Sequence, residues 1–580
     1  MTGTTKWLFL PAAMAAAQPA ALVEAAPSLD PAVSADGRLL AFTSKRDGGG
    51  WWSLWIRPLA GGEARRLTDP SHDVRDPAFS PDGRLVAFRS ERGRGGIYLV
   101  PSEGGKARLF APGGHRPRFS PDGRQIAYAV VTGARAALFL RDVAGGRAQA
   151  VHREFYSAQD PVWSADGRHW LFRGCRDGSG QHCDWWVSPP GEGEPAATGA
   201  AAAFRAARLE DLPGPGLWLE QDRVVFPATA GGNTRLWWIP LKSRSWRVEG
   251  APRRLTRGEA DERMPALAPG GKIVFAGRTT NIDIWGIPLD ANAAKPGGGL
   301  ARLAGDASVD QRPSLSRDGR RMAWETTRGG NFEVWVKDFV TGAERAVTNG
   351  PLREHMPALA PDGTRLTYDA HDGEKVTIFE SAFDGGPPAA IREENVGQGS
   401  FQWTEKSGVL YFHRAPPGTV GLLNLATGNR RVLLRHRSFN LSLADARLAP
   451  SGDRIVFPVP VAPHQSRLAI ADVSGAPIED EKNWTYLTPA GESSAQPEWS
   501  PDGEWVYFLS DRGGRPAVWA VRTGRGTRPQ GPPRRILDFP ESGPSIAEMR
   551  PRDIGLAVAR DKLALAAAET SGALWSVPAP

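Results

Sequence analysis

The chain has 580 residues, a formal net charge of +7, 41% apolar and 23% charged residues, which excludes a disordered or fibrous protein and indicates two to four packed units. Its 67 glycines and 50 prolines are spread along the whole length, so long helices are excluded and an all-β chain with many turns is expected. Arginines and lysines are scattered and form no basic run, so no nucleic-acid partner is expected.

Residues 1–19 hold one cation, Lys6, an apolar stretch from Trp7 to Ala17 broken by Pro11, and the small residues Ala15, Ala16 and Ala17. Eleven residues span only about 16 Å as a helix, half a bilayer core, so this is no transmembrane anchor. The segment reads as a secretory signal; the alternative is an Ala-rich tail. No other stretch approaches 18 apolar residues, and no transmembrane segment is expected.

From residue 28 onward the dominant signal is repetition. Pro77-Ala-Phe-Ser-Pro-Asp-Gly83-Arg-Leu-Val-Ala-Phe88 recurs as Pro31–Phe42, Pro117–Tyr128, Pro161–Phe172, Pro265–Phe275, Pro313–Trp324, Pro357–Tyr368 and Pro497–Phe508. Weaker copies at Phe401–Phe412 and Ala446–Phe457 keep the spacing and lose the Asp-Gly. The period of about 47 residues suits one four-stranded propeller blade. Within a copy, Ala78–Ser80 predicts a short strand and Pro81-Asp82-Gly83 a tight turn. Leu85–Phe88 is then a strand covered on both faces, and Ile97–Val100 and Ala107–Phe110 complete the sheet.

Counting degenerate copies at 216–256 and at the C-terminus gives twelve modules. The expected fold is two tandem six-bladed β-propellers, residues 20–305 and 306–580, with a seven-plus-five split as the alternative. The last module lacks an outer strand, which Ala20–Ala26 can supply, closing a ring and joining the termini. Gly191–Gly216, rich in Ala, Gly and Pro, reads as a surface excursion between blades. Cys175 and Cys183 flank a hairpin tip; they form a disulfide if the protein is exported and remain two thiols if it is cytoplasmic.

The pattern Pro-x-Phe/Trp-Ser-x-Asp-Gly-Arg, followed by an aromatic-ended strand and an Ile/Leu-Trp/Tyr pair, resembles the TolB-type or WD40-like (PD40) repeat. The resemblance covers nearly all of the chain after residue 28 and implies a fold, not a function. Asn281–Asp290, Phe332–Asp338, Ala559–Leu563 and Gly572–Trp575 resemble the propeller halves of bacterial membrane Ser/Thr kinases. The kinase domain is lacking: no phosphate loop with a Val-Ala-Ile-Lys strand, no His-Arg-Asp and no Asp-Phe-Gly occurs.

No Gly-x-Ser-x-Gly elbow and no His-Glu-x-x-His spacing is present, so no catalytic residue, metal or cofactor is assigned. Asp-Gly pairs at turns read as turn chemistry rather than calcium loops. One constellation follows from geometry: the residue before each repeat proline precedes an innermost strand, so these positions form a ring at a channel mouth. They are Asp30, Asp76, Arg116, Asp160 and Met264 in the first propeller, and Arg312, Met356, Ser400, Asp445 and Gln496 in the second. The mostly acidic first ring suits a cationic group or peptide terminus; the alternative is that each Asp caps its own turn. The expected protein is a non-catalytic binding, sensor or scaffold module for a protein, peptide or glycan, periplasmic or extracellular. The alternatives are the sensor half of a Ser/Thr kinase, and a propeller lyase or hydrolase with dispersed carboxylates.

Overall fold

The computed structural model describes residues 20–580 apart from 24–26, 47–50, 94, 133–134, 192, 211, 221, 259, 374, 394–401, 405–407, 414–417, 437–444, 463–464, 541–542 and 548. The candidate signal at residues 1–19 and the ring position Ser400 lie outside the described residues. The chain is all-β, and four-stranded antiparallel sheets recur along it. None of its described helices is long and apolar enough to cross a membrane.

The reason for the sheets lies in the second strand of each repeat. Leu40, Ala41 and Phe42, Val86, Ala87 and Phe88, and Ile455, Val456 and Phe457 are all buried although successive side chains point to opposite faces. A strand apolar on both sides needs a neighbouring sheet on each side.

The Ser-x-Asp-Gly turn preceding that strand is chemically complete in itself. Ser80 Oγ donates to Asp82 Oδ1 at 2.6 Å and accepts the Leu85 N–H at 2.9 Å, while the Arg84 N–H donates to the same carboxylate at 3.1 Å. The set recurs at Ser34, Ser120, Ser164 and Ser316. The serine hydroxyl and the arginine N–H hold the Asp82 carboxyl below its ordinary value, so these aspartates are used up as turn acceptors. A second recurring bond ties the outer strand inward: Thr68, Thr256, Thr348 and Thr488 each accept, through Oγ1, the N–H of a third-strand residue at 2.9–3.0 Å.

The chain forms two compact units, Met1–Thr279 with Thr570–Pro580, and Thr280–Glu569. The expected single boundary at 305/306 is therefore replaced by two crossings. The chain leaves the first unit within the strand Lys272–Asp290 and returns within the strand Lys562–Pro578, so the order is nested rather than simply tandem. Sequence pattern could not show this, because Asp261–Asp290 reads as one continuous module.

In the first unit the innermost strands are Ser28–Val33, Val74–Phe79, Gly114–Phe119, Ser157–Trp163, Leu217–Leu219 and Asp261–Ala268, and each packs beside the next, with the last returning to the first. The sixth sheet is completed by the C-terminal part of Lys562–Pro578 and by the strand Ala20–Val23, with Ala20 opposite Ser576 and Ala21 opposite Trp575. The pairing of the termini is present, but in the first unit rather than the last module of the second. A single parallel bridge, Ala136 to Ser157, joins the third and fourth sheets.

In the second unit the innermost strands are Asp310–Leu315, Arg353–Leu359, Gln402–Trp403, Arg447–Leu448, Ser494–Trp499 and Ala557–Val558. They follow one another in the same cyclic manner, with Gln402 linking the third to the fourth by bonds from its Nε2 to the Leu448 carbonyl (3.0 Å) and from the Leu448 N–H to its Oε1 (2.7 Å).

Gly191–Gly216 is not a surface excursion. Helix α1, Ala200–Ala206, buries Ala200 and Phe204 against Trp185 and Phe226, so the Ala-rich composition serves close packing. Cys175 and Cys183 stand opposite each other in the hairpin and are disulfide-bonded.

The turn chemistry generates a stability test. Ser500 is fully buried, accepts the Trp505 N–H at 3.0 Å and donates to Asp502. Ser500→Ala leaves that N–H without its acceptor and is expected to cost about 2 kcal/mol in urea unfolding; a loss under about 0.5 kcal/mol would show that the turn does not need its serine.

Candidate functional site

Every described ring position ahead of a repeat proline shares one backbone feature, which Asp445, followed by Ala446, lacks. Asp30, Asp76, Arg116, Asp160, Met264, Arg312, Met356 and Gln496 have φ between 48° and 60°, a left-handed conformation costing a non-glycine residue roughly 1–2 kcal/mol. In each case the ladder slips by one residue there, as between Leu29 and Ala32 or Arg75 and Ala78. These are β-bulges, which re-aim a side chain and bend the strand. The spacing argument singled out these positions and gave no hint of this strain. The repeat proline disfavours right-handed helical geometry in the residue before it, but that alone points to extended backbone, so the left-handed conformation is set by the bulge and not by the proline.

In the second unit the ring surrounds a cavity of about 180 Å³, lined by all six inner strands and by Arg312, Met356, Asp445, Gln496 and Gly555. Gly555 holds the sixth place, which the repeat pattern missed. Its φ is +62°, and a Cβ there would lie 2.5 Å from the Arg312 Cα, so only glycine fits.

The charges of this cavity are paired. Arg312 donates to Glu325 Oε1 at 2.9 Å and to Asp553 at 3.0 Å. Glu325, wholly buried on a second strand, also accepts from Gln311 Nε2 (2.9 Å) and the Met356 N–H (2.6 Å), and faces His355 Nδ1 at 3.3 Å. Burial alone would raise its carboxyl; His355, Arg312 and Gln311 together hold it below its ordinary value. Glu325 is the residue the sequence reading passed over, although a lone acid in Met322-Ala-Trp-Glu325 was the available sign. Arg447 pairs with Glu498 at 3.0 Å. Asp445 bonds to Gln496, and burial raises its carboxyl against the pull of Arg447.

The first-unit ring is not simply acidic. Asp160, nearly fully buried, is paired with Arg116 and lies 3.6 Å from Arg173 Nε. Asp30 accepts from Thr43 Oγ1 at 3.1 Å. Burial pushes its carboxyl up to about 6, opposed by Arg75 and reinforced by Asp76. The acidic appearance in sequence is offset by arginines from other registers. Beside Asp160, Arg116 and Met264 lies a cavity of about 310 Å³, walled by the loop Leu212–Gly216. Arg173 donates to the Leu212 carbonyl at 3.0 Å and Trp185 Nε1 to the Pro213 carbonyl at 2.6 Å. A Cβ on Gly214 would meet Asp160 Oδ2 at 2.2 Å, so the loop backbone seats directly on this carboxylate. Among the described residues no cluster of three or more metal-ligating side chains occurs.

Cyclic four-stranded sheets around an axial cavity define a β-propeller protein, and the Ser-x-Asp-Gly turns make its repeats TolB-like. No protein-family model matches the chain. A curated relative, tricorn protease homolog 1 of Streptomyces coelicolor, is 30% identical over 133 residues, which is 22% of this chain and 12% of that protein. The chain thus aligns with only a small part of that relative's length. Similar solved structures include TolB from Acinetobacter baumannii, with 15% identity, 50% of this chain and 66% of that one covered, and a TM-score of 0.34. The tricorn protease shows 14% identity, coverage of 89% and 53%, and a TM-score of 0.32. The GH74 enzyme of Niastella koreensis shows 13%, 88% and 76%, and 0.30. The fold rests on the strand pairing itself; superpositions this loose add nothing to it.

Two substitutions test the electrostatics. Asp30 binds its proton more tightly folded than unfolded, so stability falls as pH rises from the ordinary 3.8 to about 6 and then levels off. Asp30→Asn is expected to raise the unfolding midpoint at pH 7 and abolish that slope; an unchanged or lower midpoint contradicts this. Glu325→Gln breaks a buried ion pair and is expected to cost about 3 kcal/mol at pH 7. The wild-type contribution should be lost as pH falls below the ordinary 4.5 toward the depressed folded value. A neutral effect on stability at pH 7 would show that Arg312 is held by Asp553 alone.

Proposed function

We propose that this chain is a non-catalytic binding protein of two six-bladed propellers, a sensor or scaffold module of the cell envelope that takes a protein or peptide segment at its axial mouths. The observation that carries the reading is the second-unit cavity, where a cation, a thioether, a carboxylate and an amide from four ring positions converge with Gly555. Few convergent polar groups in a concave site are what recognition of an extended ligand needs. Strained, bulged backbone at Arg312, Met356 and Gln496 fits a ligand clamp.

Catalysis is the weaker reading because three of the carboxylates near these mouths are held in ion pairs: Asp160 with Arg116, Glu325 with Arg312, and Glu498 with Arg447. An envelope location is supported by the Cys175–Cys183 disulfide, since such bonds persist in oxidising compartments.

The test is a random-peptide selection on the full chain, repeated on Gln496→Trp after its unfolding midpoint has been shown to match wild type. Enrichment on wild type that is lost at least tenfold on the filled mouth is expected. Enrichment indifferent to the substitution, no enrichment, or turnover of the selected peptides would contradict the proposal.

A further inference from the structure

We infer that the 310 Å³ cavity of the first unit is a carboxylate-binding site, taking the C-terminal carboxylate of a peptide. This rests on the reading of the axial mouths as peptide sites and names the chemistry of one of them. The cavity is lined by four arginines, Arg116, Arg118, Arg173 and Arg263, against two acidic residues, Asp160 and Glu210. Asp160 is the shared partner of Arg116 and Arg173, and Glu210 is occupied by the Gly232 N–H at 3.0 Å.

Arg118 and Arg263 are left over. The guanidinium of Arg118 bonds to the neighbouring Pro117 carbonyl at 3.1 Å, and that of Arg263 to Thr234 Oγ1 at 3.2 Å. Neither forms an ion pair with a described carboxylate. Arginine keeps its charge at any biological pH, and burial works against the charge of Arg118, with Arg116 adding to the burden and Asp76 and Asp160 offsetting part of it. A cation so placed gains most from an anion entering its cavity, because the attraction acts where water is partly excluded. Planar guanidinium matches carboxylate in a two-pronged bond.

The remaining wall decides between an inorganic anion and a peptide end. Pro161, Pro213, Pro215, Pro227, Pro265 and Met264 surround the arginines, an apolar surface that a bare ion leaves empty and a terminal side chain covers. The second-unit cavity differs: Arg312 and Arg447 there are both paired with buried or half-buried acids.

The experiment uses the full chain and three matched synthetic libraries of N-acetylated tetrapeptides. One has free C-termini, one has C-terminal amides, and one is amidated with a single internal Glu. Retention is read by affinity selection at 50 and 300 mM NaCl, with inorganic phosphate as competitor. The expected result is retention of the free acids at least tenfold above both amidated sets, weakening with salt, and at least tenfold loss in Arg263→Gln and in Arg118→Met. Arg263 is exposed, so its variant keeps the test decisive if Arg118→Met fails to fold. Equal retention of acids and amides overturns the carboxylate assignment while leaving peptide binding intact. Retention of the Glu-containing amides alone assigns an acidic side chain and overturns the C-terminal reading. Displacement of the free acids by millimolar phosphate assigns an inorganic anion site and overturns it too. Retention of none overturns it irrespective of the Gln496→Trp result at the second unit.

Discussion

A strand that is apolar on both faces cannot be satisfied by its own sheet, and this constraint governs the molecule. Leu85–Ser90, Trp170–Cys175, Arg321–Thr326 and Trp505–Ser510 each bury side chains to both sides. Covering one such residue the size of Phe or Leu is worth about 1.5–3 kcal/mol, so an uncovered sheet face forfeits several such terms at once. The stable answer is a cycle in which every sheet has two neighbours. In the first unit the cycle is completed by segments from opposite ends of the chain, Ala20–Val23 and the last residues of Lys562–Pro578.

The same cyclic packing produces the mouths. Inner strands converge, the bulge before each repeat proline turns one residue of each out of the ladder, and those residues meet around a cavity. Their charges are then settled by neighbours from other strands. In the second unit Glu325 gathers Arg312, Gln311, His355 and the Met356 N–H. In the first, Asp160 gathers Arg116 and Arg173. A single buried acid thus holds several ring elements at once, which makes each mouth a preformed arrangement rather than a set of independent side chains.

The repeats were legible because each turn requires its own chemistry: serine to accept a strand N–H, aspartate to accept from serine and arginine, glycine for the positive φ. Copies without that chemistry, around Phe401–Phe412 and Ala446–Phe457, were legible by spacing alone. The bulged positions Asp30, Asp76, Arg116, Asp160, Met264, Arg312, Met356 and Gln496 could be picked out because a proline follows each. What stayed hidden depended on tertiary partners. Arg173 and Glu325 lie on second strands and carry no repeat signature. The segment Leu212–Gly216 reads as part of a surface excursion until Gly214 is seen against Asp160. The double crossing within Lys272–Asp290 and Lys562–Pro578 is invisible because each half of those strands has an ordinary β pattern.

Ring closure by the chain ends is best tested by hydrogen exchange of the full-length protein, comparing the amides of Ala573–Val577 with those of Leu85–Ser90. As an inner component of a closed sheet, the C-terminal segment should exchange as slowly as the buried strand, both opening only with the unit as a whole. Rapid exchange of Ala573–Val577 beside a protected Leu85–Ser90 would show that the ends hang free and that the first unit is held by something other than its cyclic packing.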